Sequence, residues 1–182
     1  MVLGQSAAVA ASLAIRHDGC DVQKVDSKEI NALIEKDPYM NGSVPDILID
    51  DSNEMVSADE GWISKGKGGY GLSFYELPLT DQVKKVKFTL NAVPTSGKWA
   101  VYSYQSSNKK LTSVTSFEIV SGDKSYSVDF NRNDLNILGQ TSGDWALLGT
   151  FDFEKGASVD VTVSNAKADA TMRADAILFV KQ

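Results

Sequence analysis

The stretch 145–153 limits what this chain can fold into more than any other part of the sequence. Side chains alternate along a strand with a period of two, so the letters WALLGTFDF place Trp145, Phe151 and Phe153 on one face. Leu148 makes the opposite face partly apolar as well. A strand that is apolar on both faces lies between two layers rather than against water. We therefore predict that this strand lies inside a β-sandwich, with Trp145 in the core.

Extended segments of the same kind fill the chain from residue 46 onwards. The last of them, 173–180, is an almost continuous apolar run, and Val159, Val161 and Val163 alternate with polar residues. Turn signals separate about eight such strands. Two of these strands are predicted to form a hairpin around the turn 121–124. No long helical pattern interrupts them, so the sequence predicts a mainly β fold, either a sandwich or a jelly roll.

The first part of the chain has a helical pattern instead. It is rich in alanine, a strong helix former, and Ser6 can cap the start of a helix there. Further on, Asp26 and Glu29 have the spacing of a capping box for a second short helix. The change of pattern predicts a helical extension over 1–45 and a sandwich over 46–182.

Composition argues against several classes of partner. The 182 residues carry a net charge of −6, whereas nucleic-acid binding needs a basic surface. No apolar run approaches the roughly 20 residues that span a bilayer, and the apolar start lacks the basic residues of a signal peptide. We therefore expect no nucleic acid, no membrane and no signal peptide in this chain. Cys20, the single cysteine, cannot form an internal disulfide.

The sequence does not group residues for catalysis. A nucleophile needs a neighbouring base, and the only histidine, His17, is expected at the end of a helix. A Gly-x-Ser-x-Gly elbow is absent, as is the set of Cys and His that zinc requires. We therefore predict that the chain is not an enzyme. The glycine-rich run 66–71 lacks the ending of a phosphate-binding loop and is interpreted as a flexible loop.

One acidic loop has the composition of a calcium site, because calcium takes oxygen ligands. Its candidate ligands are Asp50, Asp51, Asp59 and Glu60. Their spacing is not that of an EF-hand, so a solvated acidic loop without metal is the favoured interpretation.

Binding of a sugar requires exposed aromatic rings that stack on its apolar faces and polar groups that hold its hydroxyls. The candidate ligand-binding residues are Trp62, Tyr70, Tyr75, Trp99, Asn131 and Arg132. For Trp99 a place in the core is the alternative. Asp175 stands between two alanines in an apolar run, and a buried carboxylate needs partners. We expect it to accept a structural hydrogen bond from a loop.

Four blocks of the sequence resemble the golvesin-type module, also called the xanthan lyase carbohydrate-binding-like domain. They are Gly61-Trp62, Trp99-Ala-Val-Tyr102, Trp145-Ala-Leu-Leu-Gly-Thr-Phe151 and Ala174-Asp-Ala-Ile-Leu-Phe-Val180. The resemblance implies a galactose-binding-like jelly-roll β-sandwich, in which a structural calcium is common, and a role in glycan binding. It does not carry a lyase activity to this chain, because no acid and base are grouped in the sequence.

The helical extension resembles the C-terminal tail of an FAD-dependent oxidoreductase family. Gly4 and Gln5 match the start of a helix that faces the flavin in that family, although Ala8 stands where the family has a second glycine. The family's Gly-x-Gly-x-x-Gly turn is absent, so FAD is not expected in this chain alone. The resemblance implies that a flavoprotein domain is a partner of this chain.

Two functions follow from these resemblances. The first is a non-catalytic carbohydrate-binding-type module of a xanthan lyase-like or polysaccharide-processing protein, secreted or periplasmic, with a polysaccharide or glycan as partner. The second is a structural or oligomerisation domain of an FAD-dependent oxidoreductase. We expect the N-terminal helix either to fold back on the sandwich or to pair with a second copy in a homo-oligomer. Apart from a structural calcium, no cofactor is expected.

Overall fold

The computed structural model describes residues 2–17, 19–36, 44–135 and 142–182. Over these residues the chain forms two α-helices and twelve β-strands. The chain divides into two compact units, Met1–Pro45 and Asp46–Gln182, of which the first is helical and the second holds all the strands described. Neither of the two helices has the length and apolar character needed to cross a membrane.

The helical unit consists of α1 (Val2–Arg16), a 3-10 turn (Val22–Lys24) and α2 (Ser27–Lys36). Because α1 begins before Ser6, that serine lies within the helix, and the predicted N-cap at Ser6 is wrong. Gly19 closes α1 with a φ of +73°, and its N–H donates to the carbonyl of Ala14 at 3.0 Å. Glycine suits this left-handed position after a helix because it has no Cβ.

The predicted capping box at the start of α2 is half formed. Asp26 Oδ1 accepts the backbone N–H of Lys28 at 2.9 Å, which is the bond expected of an N-cap. The Glu29 carboxylate contacts the His17 ring instead, with Oε1 3.2 Å from Nε2. His17 follows the last residue of α1, as the sequence predicts, and its ring links the end of α1 to the start of α2.

The strands of the second unit are β1 (Ile47–Asp50), β2 (Val56–Ala58), β3 (Ile63–Gly66), β4 (Ser73–Leu77), β5 (Lys85–Leu90), β6 (Gly97–Ser106), β7 (Val114–Ser121), β8 (Lys124–Asn131), β9 (Gly143–Phe153), β10 (Val159–Ser164), β11 (Met172–Ala174) and β12 (Ala176–Lys181). A 3-10 turn, Arg132–Asp134, follows β8. The sequence prediction omits β2, β3 and β4 and joins β11 to β12. The omitted strands have three to five residues, too few for alternation to be recognised.

Over the described residues the strands form three antiparallel sheets. Their strand orders are β1-β12-β6-β9, β2-β5-β10-β7-β8 and β11-β4-β3. The predicted hairpin is confirmed, because Ser121 at the end of β7 pairs with Lys124 at the start of β8. Fully buried rings come from both larger sheets, among them Trp99, Phe153 and Phe179 of the first and Phe88 of the second. The mainly β jelly-roll sandwich predicted from the sequence is therefore confirmed.

A β-bulge interrupts β9 where it pairs with β6. Val101 pairs with Gly149, whereas the next residue, Tyr102, pairs with Leu147. Leu148 is therefore an extra residue without a counterpart, and an extra residue reverses the alternation of faces along a strand.

The bulge separates Trp145 from the two phenylalanines with which the sequence grouped it. Beyond the bulge Phe151 and Phe153 are buried, whereas before it Leu147 is 54% exposed. Trp145 is half-buried near the start of β9. The prediction that Trp145 is a core residue is wrong, because the uninterrupted period of two on which it rested does not hold through the bulge.

Candidate functional site

The candidate site lies at one end of the four-stranded sheet. Strands β1 and β6 end there and strands β9 and β12 begin there, since Asp50 pairs with Ala176 and Ser106 pairs with Gly143. The segments that leave these four strands therefore meet at one edge of the sheet. We call this region, together with the glycine-rich turn between β3 and β4, the loop edge.

Two hydrogen bonds hold the glycine-rich turn against the ends of the strands. The Tyr70 N–H donates to Oδ2 of Asp175 at 3.0 Å, and the Ser142 hydroxyl donates to the carbonyl of Gly69 at 3.1 Å. A Cβ on Gly69 would lie 2.5 Å from the same Asp175 oxygen, so this approach requires glycine. The bond from Tyr70 confirms the prediction that Asp175 accepts a hydrogen bond from a loop.

Three aromatic rings pack edge to face beside this turn. The centroid of the Tyr70 ring lies 5.0 Å from that of Trp145 and 5.5 Å from that of Tyr104, and the last two are 5.4 Å apart. The Tyr104 hydroxyl lies 2.7 Å from Oγ of Ser142. Tyr70 is 45% exposed whereas Tyr104 is buried. Tyr70 thus offers solvent a ring supported by two others, an arrangement suited to stacking on the apolar face of a ring-shaped ligand.

A cationic cavity opens where β8 leaves the sandwich. It has a volume of about 380 Å³ and is lined by Ser107, Lys109, Arg132, Asn133 and Leu135. The Arg132 guanidinium donates to the carbonyls of Ser106 at 2.6 Å and Thr112 at 2.9 Å. Burial, and secondly the charge of Arg173, lower the pKa of Arg132, but an arginine remains charged at neutral pH.

The cavity and the aromatic rings are linked through Ser142. Its carbonyl accepts the N–H of Ser107 at 2.7 Å, and its hydroxyl contacts both Tyr104 and Gly69. Ser107 lines the cavity and Gly69 precedes Tyr70 in the turn. Ser142 therefore joins the turn that carries the exposed ring to a residue that lines the cationic cavity.

One carboxylate fixes the segment 112–113, which in turn contacts Arg132. Asp169 Oδ1 accepts the N–H of Ser113 at 2.8 Å, and its Oδ2 accepts the Ser113 hydroxyl at 2.5 Å. These bonds, with a third from the Thr112 hydroxyl, lower the pKa of Asp169 to about 2. Because Thr112 supplies a carbonyl to Arg132, Asp169 helps to position the guanidinium.

Three carboxylates lie beneath the glycine-rich turn. Oxygens of Asp50, Asp51 and Asp175 are all within 4.8 Å of one another. Burial is the main cause that raises the pKa of Asp175 to about 7, against the Tyr70 N–H, which lowers it. Burial also raises the pKa of Asp51, whose Oδ1 accepts the Ser73 hydroxyl at 3.0 Å.

Of the predicted ligand-binding residues, Tyr70 lies at the loop edge, and Asn131 and Arg132 follow one another at the end of β8, from which Arg132 reaches the end of β6. Tyr70 carries the exposed ring and Arg132 lines the cavity. Asn131 is exposed at the end of β8, where its Oδ1 accepts the N–H of Asn133 at 2.9 Å and caps the 3-10 turn. Tyr75 lies in β4 and is half-buried.

Burial contradicts the prediction for the two tryptophans. Trp99 is completely buried, and its indole N–H donates to the carbonyl of Thr95 at 3.1 Å. Trp62 is 9% exposed although glycines suggested a surface loop. Neither indole has a face open to a sugar, so Trp99 and Trp62 are packing residues.

The structure divides the predicted calcium ligands. Asp50 and Asp51 lie together with Asp175, whereas Asp59 and Glu60 are exposed, and Asp59 Oδ2 accepts the N–H of Lys85 at 2.8 Å. Sequence spacing gave no sign that Asp175 joins the group, because it follows the other two by more than a hundred residues. Its position as an acid inside an apolar run was the available signal.

The antiparallel sheets, with the candidate site on the segments that connect their strands, define a β-sandwich module of the jelly-roll class. The chain is a member of the Golvesin C-terminal domain family, whose family model matches residues 47–181. No curated protein sequence matches the chain.

Solved structures share this fold. A xanthan lyase from Paenibacillus superimposes with a TM-score of 0.63 at 22% identity over 75% of this chain, which spans 13% of the lyase chain. A family 35 carbohydrate-binding module from Clostridium thermocellum gives a TM-score of 0.52 at 16% identity, covering 76% of this chain and 100% of that one. A CBM35 from Cellvibrio japonicus gives 0.51 at 14% identity, with 75% and 94% coverage. At these identities the likeness shows the fold alone.

Proposed function

We propose that the sandwich is a non-catalytic carbohydrate-binding module that binds its glycan at the loop edge. Membership of the Golvesin C-terminal domain family and the fold shared with carbohydrate-binding modules support this class of function. The observation that carries the proposal is the exposed Tyr70 ring beside a cavity of about 380 Å³ lined by polar and cationic side chains.

Each part of this surface has a role in the proposed binding. Tyr70 stacks on the apolar face of a sugar ring, and its orientation is set in advance by Tyr104 and Trp145. Lys109, Arg132 and Asn133 donate hydrogen bonds to hydroxyl or acidic groups of a neighbouring sugar. Because the cavity is cationic, acidic polysaccharides bind more tightly than neutral ones despite the net charge of −6.

Tyr70→Ala tests the proposal in isothermal titration calorimetry and affinity electrophoresis against neutral and acidic polysaccharides, including xanthan. Removing the ring is expected to weaken binding about tenfold, the loss of one stacking contact. Tyr70→Phe keeps the ring and is expected to keep most of the affinity.

Leu72→Ala is the matched control, because Leu72 lies in the same turn and is 91% exposed. Thermal unfolding of each variant shows whether the sandwich remains folded. Absence of binding to every polysaccharide, or equal affinity of the Tyr70→Ala variant and the wild type, would contradict the proposal.

The same proposal extends to the larger protein that would carry this module. A parent protein that processes polysaccharides, of the xanthan lyase kind and secreted or periplasmic, places such a module beside its substrate. The alternative is a structural or oligomerisation domain of an FAD-dependent oxidoreductase, and in the second of these roles it predicts a homo-oligomer formed through α1. Light scattering of the full chain tests that role, since a monomer that binds glycan is incompatible with oligomerisation through α1.

A further inference from the structure

A second cavity opens between two edge strands of the sandwich. β8 is the last strand of the five-stranded sheet and β9 is the last strand of the four-stranded sheet, so neither pairs with another described strand on its outer side. The cavity has a volume of about 440 Å³, within the range of small-ligand sites. We call it the acidic cleft, and it is lined by residues 128–130, 134–135 and 144–147.

The charge of the acidic cleft is opposite to that of the cationic cavity. Its charged lining residues are Asp129, Asp134 and Asp144, and no lysine or arginine lines it among the described residues. Lys167 compensates the first of them, because its Nζ lies 2.5 Å from Oδ2 of Asp129. Asp134 and Asp144 form no ion pair within the described part of the chain, so two uncompensated carboxylates remain.

The acidic cleft borders both parts of the proposed glycan site. Leu135 lines the cleft and also the cationic cavity, so the two cavities are adjacent. Trp145 lines the cleft, and the centroid of its ring lies 5.0 Å from that of the exposed Tyr70. A chain of sugars held at Tyr70 and in the cationic cavity therefore has room to continue into the cleft with a neighbouring sugar.

The lining of the acidic cleft suits an uncharged sugar. Trp145 and the exposed Leu147 offer apolar surface to a sugar ring. Carboxylate oxygens accept hydrogen bonds from sugar hydroxyls. A uronic acid in the same place would bring its own carboxylate against those of Asp134 and Asp144, and like charges brought together across an interface weaken binding.

We propose that this module recognises a polysaccharide in which an acidic sugar stands next to a neutral one. The proposal rests on glycan binding at the loop edge, and it places the acidic sugar in the cationic cavity and the neutral sugar in the acidic cleft. Lys109 and Arg132 attract the first sugar, whereas Asp134 and Asp144 exclude a second acid from the neighbouring position. The module thus distinguishes glycans by the pattern of charge along the chain.

The proposal is tested on the full chain by isothermal titration calorimetry with three groups of polymers. Hyaluronan, gellan and xanthan contain acidic sugars next to neutral ones. In polygalacturonate and alginate every sugar is acidic, and galactomannan is neutral. The tightest ligand is expected to be a mixed polymer, bound about tenfold more tightly than either uniformly acidic one.

The double variant Asp134→Asn/Asp144→Asn removes both charges of the acidic cleft. Asparagine keeps an oxygen that accepts hydrogen bonds, including the one that Oδ1 of Asp144 accepts from the Trp145 N–H at 2.8 Å. The variant is expected to bind the uniformly acidic polymers about tenfold more tightly than the wild type does, and the mixed polymers within about threefold of it. If it fails to fold, Asp134→Asn at an exposed position should give a smaller rise in the same direction.

Asp123→Asn/Asp152→Asn is the matched control, because it changes the net charge by the same amount. Asp123 lies in the turn before β8 and Asp152 lies near the end of β9, so both are at the opposite ends of the two strands that line the cleft. Both side chains are exposed. Salt screens charges at that distance, so the control should bind all the polymers as the wild type does.

Three results would overturn this inference and leave glycan binding at the loop edge intact. They are a neutral or uniformly acidic polymer bound more tightly than every mixed one, an Asp134/Asp144 variant with an unchanged ratio of affinities, and an equal rise in the control variant. Absence of binding to every polymer would instead contradict glycan binding itself and this inference with it.

Discussion

Asp169 illustrates how one exposed side chain organises part of the loop edge. Its carboxylate accepts two hydrogen bonds from Ser113, and the neighbouring Thr112 carbonyl accepts one from Arg132. These bonds favour the charged carboxylate, so the pKa of Asp169 falls to about 2 in the folded protein. The position of Arg132 in the cavity depends on this loop.

The lowered pKa makes the contribution of Asp169 to stability dependent on pH. A folded-state pKa of about 2, below the ordinary aspartate pKa of 3.8, means that the stabilisation is complete above about pH 4 and is lost as the pH falls through 2. We expect Asp169→Asn to lower the free energy of unfolding at pH 7. The difference from wild type should shrink between pH 4 and pH 2, as measured by urea unfolding.

The matched control is Asp81→Asn, which changes an exposed aspartate on another loop. It should leave the free energy of unfolding almost unchanged over the same pH range. A difference between Asp169→Asn and the wild type that is constant from pH 7 to pH 2 would show that the charge is not the cause.

Residue by residue, exposure was the property that the sequence predicted least well. Tyr70 and Trp62 both stand beside glycines, yet only Tyr70 is exposed. Trp99 has the alternation of a strand residue, which is equally compatible with either face of a sheet. Which face meets the second sheet depends on pairing with other strands, and a local pattern does not contain that information.

Among the elements, β9 carries the largest departure from the predicted pattern. The bulge places Gly149 opposite Val101 with a φ of +155°, and a Cβ there would lie 2.8 Å from Cζ of Phe151. Both the backbone conformation and the contact favour glycine. The bulge also turns Trp145 away from the core face of Phe151 and toward Tyr70.

Gly149→Ala is expected to destabilise the protein by about 1–3 kcal/mol, because the new Cβ strains the backbone and crowds the Phe151 ring. Chemical unfolding monitored by tryptophan fluorescence measures this difference. Gly66→Ala is the control, since Gly66 has no positive φ and its added Cβ would meet its nearest neighbour, a carbonyl oxygen, at 3.6 Å. Equal stability of the Gly149→Ala variant and wild type would show that the bulge tolerates a side chain.

The presence of the longer strands was predictable from the sequence, whereas the residues at which strands are interrupted were not. The hairpin of β7 and β8 follows from two alternating runs around a turn. The break between β11 and β12 and the bulge in β9 each involve a single residue, Asp175 and Leu148 respectively. A single residue scarcely changes a pattern averaged over a window, yet it determines which side chains reach the loop edge.

At the scale of the whole molecule, all the described strands and their core belong to the unit Asp46–Gln182. We expect residues 46–182, expressed alone, to unfold in one cooperative transition. The buried indole of Trp99 should give the same fluorescence change on unfolding as in the full chain. If residues 46–182 alone lacked near-ultraviolet circular dichroism and bound a hydrophobic dye, the prediction would be wrong. Those two properties are typical of a collapsed state without fixed side-chain packing.

The sequence alone determined the class of fold and the division into a helical and a β part, because these follow from periodicities that local geometry imposes. Its resemblance to the golvesin-type module agrees with the family match over 47–181. The tertiary structure alone decided that Tyr70, Trp145, Arg132 and Asp175 share one edge. Strands distant in sequence pair antiparallel there, and such pairing depends on contacts across the whole sheet rather than on neighbouring residues.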